Sequence, residues 1–123
     1  VVVDWPTMEG WVLEEDTSKP IERVYVVARW KGVSAYTSTI CFHSKIAVTD
    51  DQGHYRFPAW RNKNDWKTLS NQRIIYSFYK PSYIHSGEVV KDGKKFDYLK
   101  SFRDEREAFE LSYGFFNWLW RKR

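Results

Sequence analysis

Sulfur is scarce in this chain, and long apolar runs are absent from it. Its 123 residues include one cysteine, Cys41, so no disulfide can form within it. A single thiol still leaves an oxidising compartment open. No stretch approaches the about 18 consecutive apolar residues that a membrane-spanning helix requires. Positive charge is thinner than the formal +4 implies, because Arg121, Lys122 and Arg123 supply three of those four units. The remainder is close to neutral, which argues against nucleic-acid binding, where affinity comes from a basic face that neutralises phosphates. There is no internal repeat and no low-complexity segment. An initiating methionine is missing too: the chain opens Val1-Val2-Val3, and a removed signal peptide would account for that.

Aromatic residues, by contrast, are abundant, with seven Trp, eight Tyr and eight Phe making up 19% of the chain. Aromatic and β-branched side chains suit a pleated, half-buried surface, so the composition points to an all-β domain. The length fits one domain. The rings outnumber what a core of this size needs, and some are expected to line a surface or cover an edge.

The organising stretch is residues 41–60. Ile46 and Val48 alternate with small or polar neighbours, Asp50-Asp51-Gln52-Gly53 interrupts, and Tyr55 and Phe57 alternate again. This predicts two strands paired across a turn. With Thr49 opposite His54, Val48 would meet Tyr55 and Ile46 would meet Phe57, all four on one core face. Before this stretch, residues 8–13 read as a short strand preceded by Pro6, and residues 21–30 as the cleanest strand. There Val24, Val26, Ala28 and Trp30 share one face, and Arg23, Tyr25, Val27 and Arg29 share the other. Residues 37–43 are β-prone, and Pro58 stops the strand that contains Tyr55.

Residues 61–72 are polar apart from Trp66 and Leu69, which predicts a long loop, either functional or pinned by Trp66. Residues 74–80 form another strand before Pro81. Residues 83–90 and 94–99 flank Lys91-Asp92-Gly93, a strong hairpin signal. About seven strands at short intervals predict a β-sandwich over residues 1–100.

The character changes over residues 101–123. Ser101 followed by acidic residues suits a helix start. Phe102, Phe109, Tyr113, Phe116 and Trp120 recur at helical spacing, with Gly114 as a stop point. The expectation is a C-terminal α-helix, with residues 113–120 either a second helical turn or an extended aromatic tail.

Gly10-Trp-Val, Lys19-Pro20-Ile21, Val24-Tyr-Val26, Trp30, Cys41-Phe-His43, the run from Ala47 through Thr49-Asp50-Asp51-Gln-Gly53-His-Tyr55 to Trp60, and Tyr79-Lys-Pro-Ser-Tyr83 together resemble the carboxypeptidase regulatory-like domains. These belong to the transthyretin-like, or prealbumin-like, β-sandwiches. The resemblance covers roughly residues 8–83 and is nearest to small bacterial envelope proteins and lipoproteins. It implies a seven-stranded prealbumin-like sandwich that acts as a non-enzymatic accessory or binding module, periplasmic or membrane-anchored. An immunity or inhibitor protein is one concrete form. A hydrolytic branch of the transthyretin-like proteins ends in Tyr-Arg-Gly-Ser, which is absent here, since the chain ends Trp-Leu-Trp-Arg-Lys-Arg. A lipobox cysteine is also missing.

The chemistry-bearing residues offer few constellations. Cys41 and His43 suggest a nucleophile and a base, but residues two apart on a strand stand about 6–7 Å apart at the backbone, and no third orienting group is evident. A metal reading would gather Cys41, His43, His54 and His85, yet the expected register separates His43 from His54 by roughly 20 Å. Asp50 and Asp51 read as turn residues before they read as calcium ligands. No cofactor, metal or catalytic set is therefore assigned, and the chain reads as a non-enzyme; a hydrolase, the lesser alternative, would require Cys41 or a histidine in a cleft with a paired base. The candidate binding residues are Trp60, Trp66, Tyr113, Phe116, Trp118, Trp120, Arg121 and Arg123. The first two would serve the alternative of a carbohydrate-binding module, stacking a sugar if coplanar and exposed. The others would serve a protein partner or a peripheral contact with an anionic membrane. A helix packed over a sandwich edge explains the same aromatic tail structurally.

Overall fold

The computed structural model describes residues 3–62 and 69–102. Every regular element in them is a strand. Nine occur in chain order: β1 (Val3–Trp5), β2 (Met8–Glu14), β3 (Tyr25–Val33), β4 (Thr39–Val48), β5 (His54–Phe57), β6 (Trp60–Asn62), β7 (Ser70–Tyr79), β8 (Tyr83–Lys91) and β9 (Lys94–Ser101). They form a four-stranded sheet ordered β5-β2-β9-β8, a three-stranded sheet ordered β4-β3-β7 and a two-stranded ribbon of β1 and β6. The domain is therefore all-β, with nine described strands where about seven were expected. The two additions are the short ribbon strands. The expected C-terminal helix falls on residues 103–123, outside the described residues, and Ser101, read as its cap, is the last residue of β9.

Alternation along β3 sets the core. Val24, Val26, Ala28 and Trp30 are at most 1% exposed, while Tyr25 on the other face is exposed. Opposite them, the four-stranded sheet supplies Val12, Tyr55, Phe57 and Leu99, and the two layers close one apolar cluster. On the hydrophobic scale each fully buried side chain of this size contributes about 1.5–3 kcal/mol, so this cluster is the main stabilising term.

The Asp50–Gly53 turn does not join a hairpin. β4 pairs with β3, and β5 pairs with β2. The turn is an arch between the two sheets, and the expected common core face is corrected accordingly: Tyr55 and Phe57 are buried, whereas Ile46 and Val48 are 66% and 50% exposed. The inward positions of β4 are His43, Lys45 and Ala47, opposite Trp30, Ala28 and Val26. Period-two alternation is identical for a hairpin and an arch; only the partner strand decides which face is inside. The arch holds itself through Asp50, whose Oδ1 accepts from the amides of Gln52 (2.9 Å) and His54 (3.0 Å). Buried Thr49 fixes its other foot, with Oγ1 accepting from Val24 N at 2.8 Å and donating to Ile21 O at 2.9 Å.

The β8–β9 hairpin is as expected. Lys91 pairs with Lys94 around Asp92-Gly93, and φ of 53° and 74° at these two residues gives the mirror-image turn whose twist matches the strands. β2 and β9, from opposite ends of the described chain, run parallel at the centre of their sheet. The β1–β6 ribbon continues the β2–β5 pairing beyond a matched interruption. Met8 pairs with Phe57 and Trp5 with Trp60, and Pro6 and Pro58 stand in the unpaired steps between, where neither can donate to a ladder.

Candidate interaction surface

The outward face of the three-stranded sheet is built by register. Row by row across β4, β3 and β7 it presents Val48–Tyr25–Tyr79, Ile46–Val27–Ser77 and Ser44–Arg29–Ile75; past the bulge that follows Trp30 it presents Cys41–Lys31–Arg73. Tyr25 and Tyr79 are each 55% exposed, and Ile75 is 37% exposed. With Ile46 and Val48, five large apolar side chains thus stand in solvent on one face. An ordinary sandwich strand puts polar residues outward, so an apolar face of this kind is a candidate contact surface. At its Tyr25 end a pocket of about 420 Å³ opens between Tyr25, Phe78, Tyr79, Lys80, Pro81 and Tyr83.

Inside, between the layers, lies a polar cluster that sequence reasoning missed. Asp97 on β9 is fully buried. Its Oδ2 accepts from the Tyr55 hydroxyl (2.8 Å) and from Lys95 Nζ (2.6 Å), and His85 Nε2 stands 3.5 Å from Oδ1. The Lys95 ammonium also lies 4.2 Å from the centre of the Tyr76 ring, with Phe78 and Tyr55 flanking it, an arrangement favourable for a cation over π-faces. Burial pushes the Asp97 carboxyl up, but its contacts with His85, Lys95 and Tyr55 outweigh that and hold it below the ordinary value. Burial and the Asp97 and Glu88 charges push the Tyr76 phenol up to about 12. The same influences, burial first, raise Tyr55. The available signal was Lys95 and Asp97 alternating with Leu99 on one face of a strand, charged residues where a core face belongs.

Tyr55 reaches Asp97 by leaning over Gly10 on the intervening strand. A Cβ at Gly10 would lie 2.6 Å from the Tyr55 Cζ and 2.8 Å from its Cε1, closer than carbon atoms pack. The Gly10-Trp-Val phrase thus has a packing cause, since only a residue without a side chain lets the ring cross.

The remaining sequence candidates are dispersed. Trp60 is half-buried, stacked on His43 at 3.7 Å and near-parallel to Trp5 at 6.3 Å, and Trp30 packs edge-on at 5.5 Å. One face of Trp60 is therefore covered by an imidazole. Trp66, Tyr113, Phe116, Trp118, Trp120, Arg121 and Arg123 lie outside the described residues, as does the centre of the expected loop, whose flanks form β6 and the start of β7. Burial, and secondarily the Lys45 charge, lower the His43 pKa. At the bulge Phe42 turns in to pack on the core beside His43, and exposed Cys41 places Sγ 3.5 Å from the His43 carbonyl oxygen rather than its ring. His54 instead bonds Glu9 at 2.8 Å. Among the described residues no three potential metal ligands converge, and no helix is long and apolar enough to cross a membrane. Comparison of the chain with family models, curated proteins and solved structures finds no match.

Proposed function

We propose that this chain is a non-enzymatic protein-binding or accessory module, a prealbumin-like sandwich of the bacterial envelope, and that it engages its partner through the outward face of β4-β3-β7. One observation carries the reading: the five large apolar side chains exposed on that face. They offer roughly 500 Å² of apolar area, worth about 12 kcal/mol gross when removed from water. Association itself costs on the order of 4–15 kcal/mol. The apolar rows can drive a contact, but they leave little margin without polar pairing.

The test is capture from an envelope fraction by the full chain, by Ile46→Asp/Val48→Asp and by a chain truncated after Tyr113. Both aspartates replace exposed residues, so the fold should persist. A discrete protein partner retained by the wild type and lost at least tenfold with the double aspartate supports the reading. A partner that depends on the tail alone moves the contact to the C-terminal residues. No partner for any form overturns the proposal.

A further inference from the structure

We infer that the partner of this face is an acidic protein segment, carrying carboxylates at one end of an apolar stripe. The inference rests on the protein-binding reading above and names its chemistry. The outward face is segregated. Its apolar rows lie towards Tyr25, and Arg29, Lys31 and Arg73 occupy the rows towards the other end of β3. None of these three cations is in an ion pair among the described residues. Arg29 Nη1 donates to Ser77 Oγ at 3.1 Å, and Arg73 Nη1 donates to the carbonyl of Asn71 at 3.1 Å. No carboxylate stands at any outward position of the three paired strands. Oriented cations with no carboxylate partner among the described residues, beside an apolar patch, are the complement of an acidic amphipathic segment, and such pairing sets specificity and register.

The alternatives fit less well. A second copy of the same face would bring cations against cations wherever like ends meet. Addition of a strand at β4 is opposed by Lys45, which points inward on that edge, and by the bulge at Phe42, both devices that discourage edge pairing. On an anionic membrane the apolar side chains must sink below the phosphates while the cations stay level with them, whereas here both sets project from the same face of one sheet. The four rows span about 20 Å, the length of roughly 14 helical residues, which sets the size of the segment.

A random 16-residue peptide library displayed on phage, panned on the folded full chain and counter-selected on Arg29→Glu/Lys31→Glu/Arg73→Glu, tests this directly. The expected result is enrichment of peptides with two or more carboxylates next to large apolar residues. Their binding should fall at least tenfold with the charge reversal or with Ile46→Asp, and weaken as salt rises. If the triple reversal does not fold, the Gln triple takes its place and a loss of several-fold is expected. Neutral or basic winners, winners indifferent to the three cations, or no enrichment overturn the inference. Winners that need Ile46 but ignore the cations overturn it while leaving the protein-binding reading standing. Binding to phosphatidylglycerol vesicles with the same residue dependence reassigns the face to a membrane, and concentration-dependent dimerisation abolished by Ile46→Asp reassigns it to a second copy; either result overturns it.

Discussion

Replacing Gly10 with alanine should be among the most damaging single-methyl additions to this domain. The new Cβ would meet the Tyr55 ring at 2.6 and 2.8 Å, and that ring cannot retreat without leaving Asp97, because its hydroxyl is bonded to the carboxylate at 2.8 Å across the β2 strand. Overpacking of a filled core costs about 1–3 kcal/mol, and losing a hydrogen bond to a charged, buried acceptor costs about 1.5–3 kcal/mol. Relief from glycine in a strand returns about 0.5–1 kcal/mol. The net loss is about 1.5–5.5 kcal/mol, a large share of the roughly 5–15 kcal/mol that holds a domain of this kind together. In urea, at a mid-range slope of about 2 kcal/mol per M, the midpoint followed by tryptophan fluorescence should drop by about 1–3 M. The control is the same substitution in a Tyr55→Leu background, where the ring is gone and the added methyl should be nearly neutral. A Gly10→Ala protein within about 0.5 kcal/mol of wild type, or an equal cost in both backgrounds, would refute the reasoning.

Two further outcomes follow from the same packing. Thr49→Val keeps the shape but strips one hydroxyl from between Val24 N and Ile21 O; two buried backbone groups lose a partner at the foot of the arch, and chemical denaturation should show a loss of about 2–4 kcal/mol. Asp97 has a folded pKa below its ordinary 3.8, so its contribution is complete above that value and is lost as pH falls below it. Urea midpoints of wild type and Asp97→Asn, measured from pH 6 to pH 2, should converge towards the acid end, and a gap that stays constant across that range would show that the charge of Asp97 is not what stabilises the fold.

Local signals were legible wherever they decide the structure locally. Asp92-Gly93 sets its hairpin through backbone geometry alone, and the faces of β3 follow from alternation in a strand flanked on both sides. The face of β4 was not legible. Its outward residues, Ile46 and Val48, are more apolar than inward Lys45, because the edge carries a charge inward and the outer face is unusually apolar. Alternation therefore pointed the wrong way round. The Asp97 cluster was hidden for another reason. Tyr55, His85, Lys95 and Asp97 come from three strands, and nothing in their separate neighbourhoods says that they meet. The outward apolar face was readable only as the second face of β3, where Tyr25, Val27 and Arg29 already mixed apolar and basic residues; its extension over β4 and β7 needed the register.

The parallel pairing of β2 with β9 has a consequence for how the protein comes into being. β2 waits for the last described strand, since β9 separates it from β8 and carries Asp97 and Leu99 into the core. A nascent chain that has not reached residue 97 holds Tyr55 without its acceptor and half a sheet without its middle. The three-stranded sheet, whose partners lie closer in sequence, can assemble while synthesis continues. The four-stranded sheet closes only once β9 has been made, so its folding is gated by the arrival of that strand.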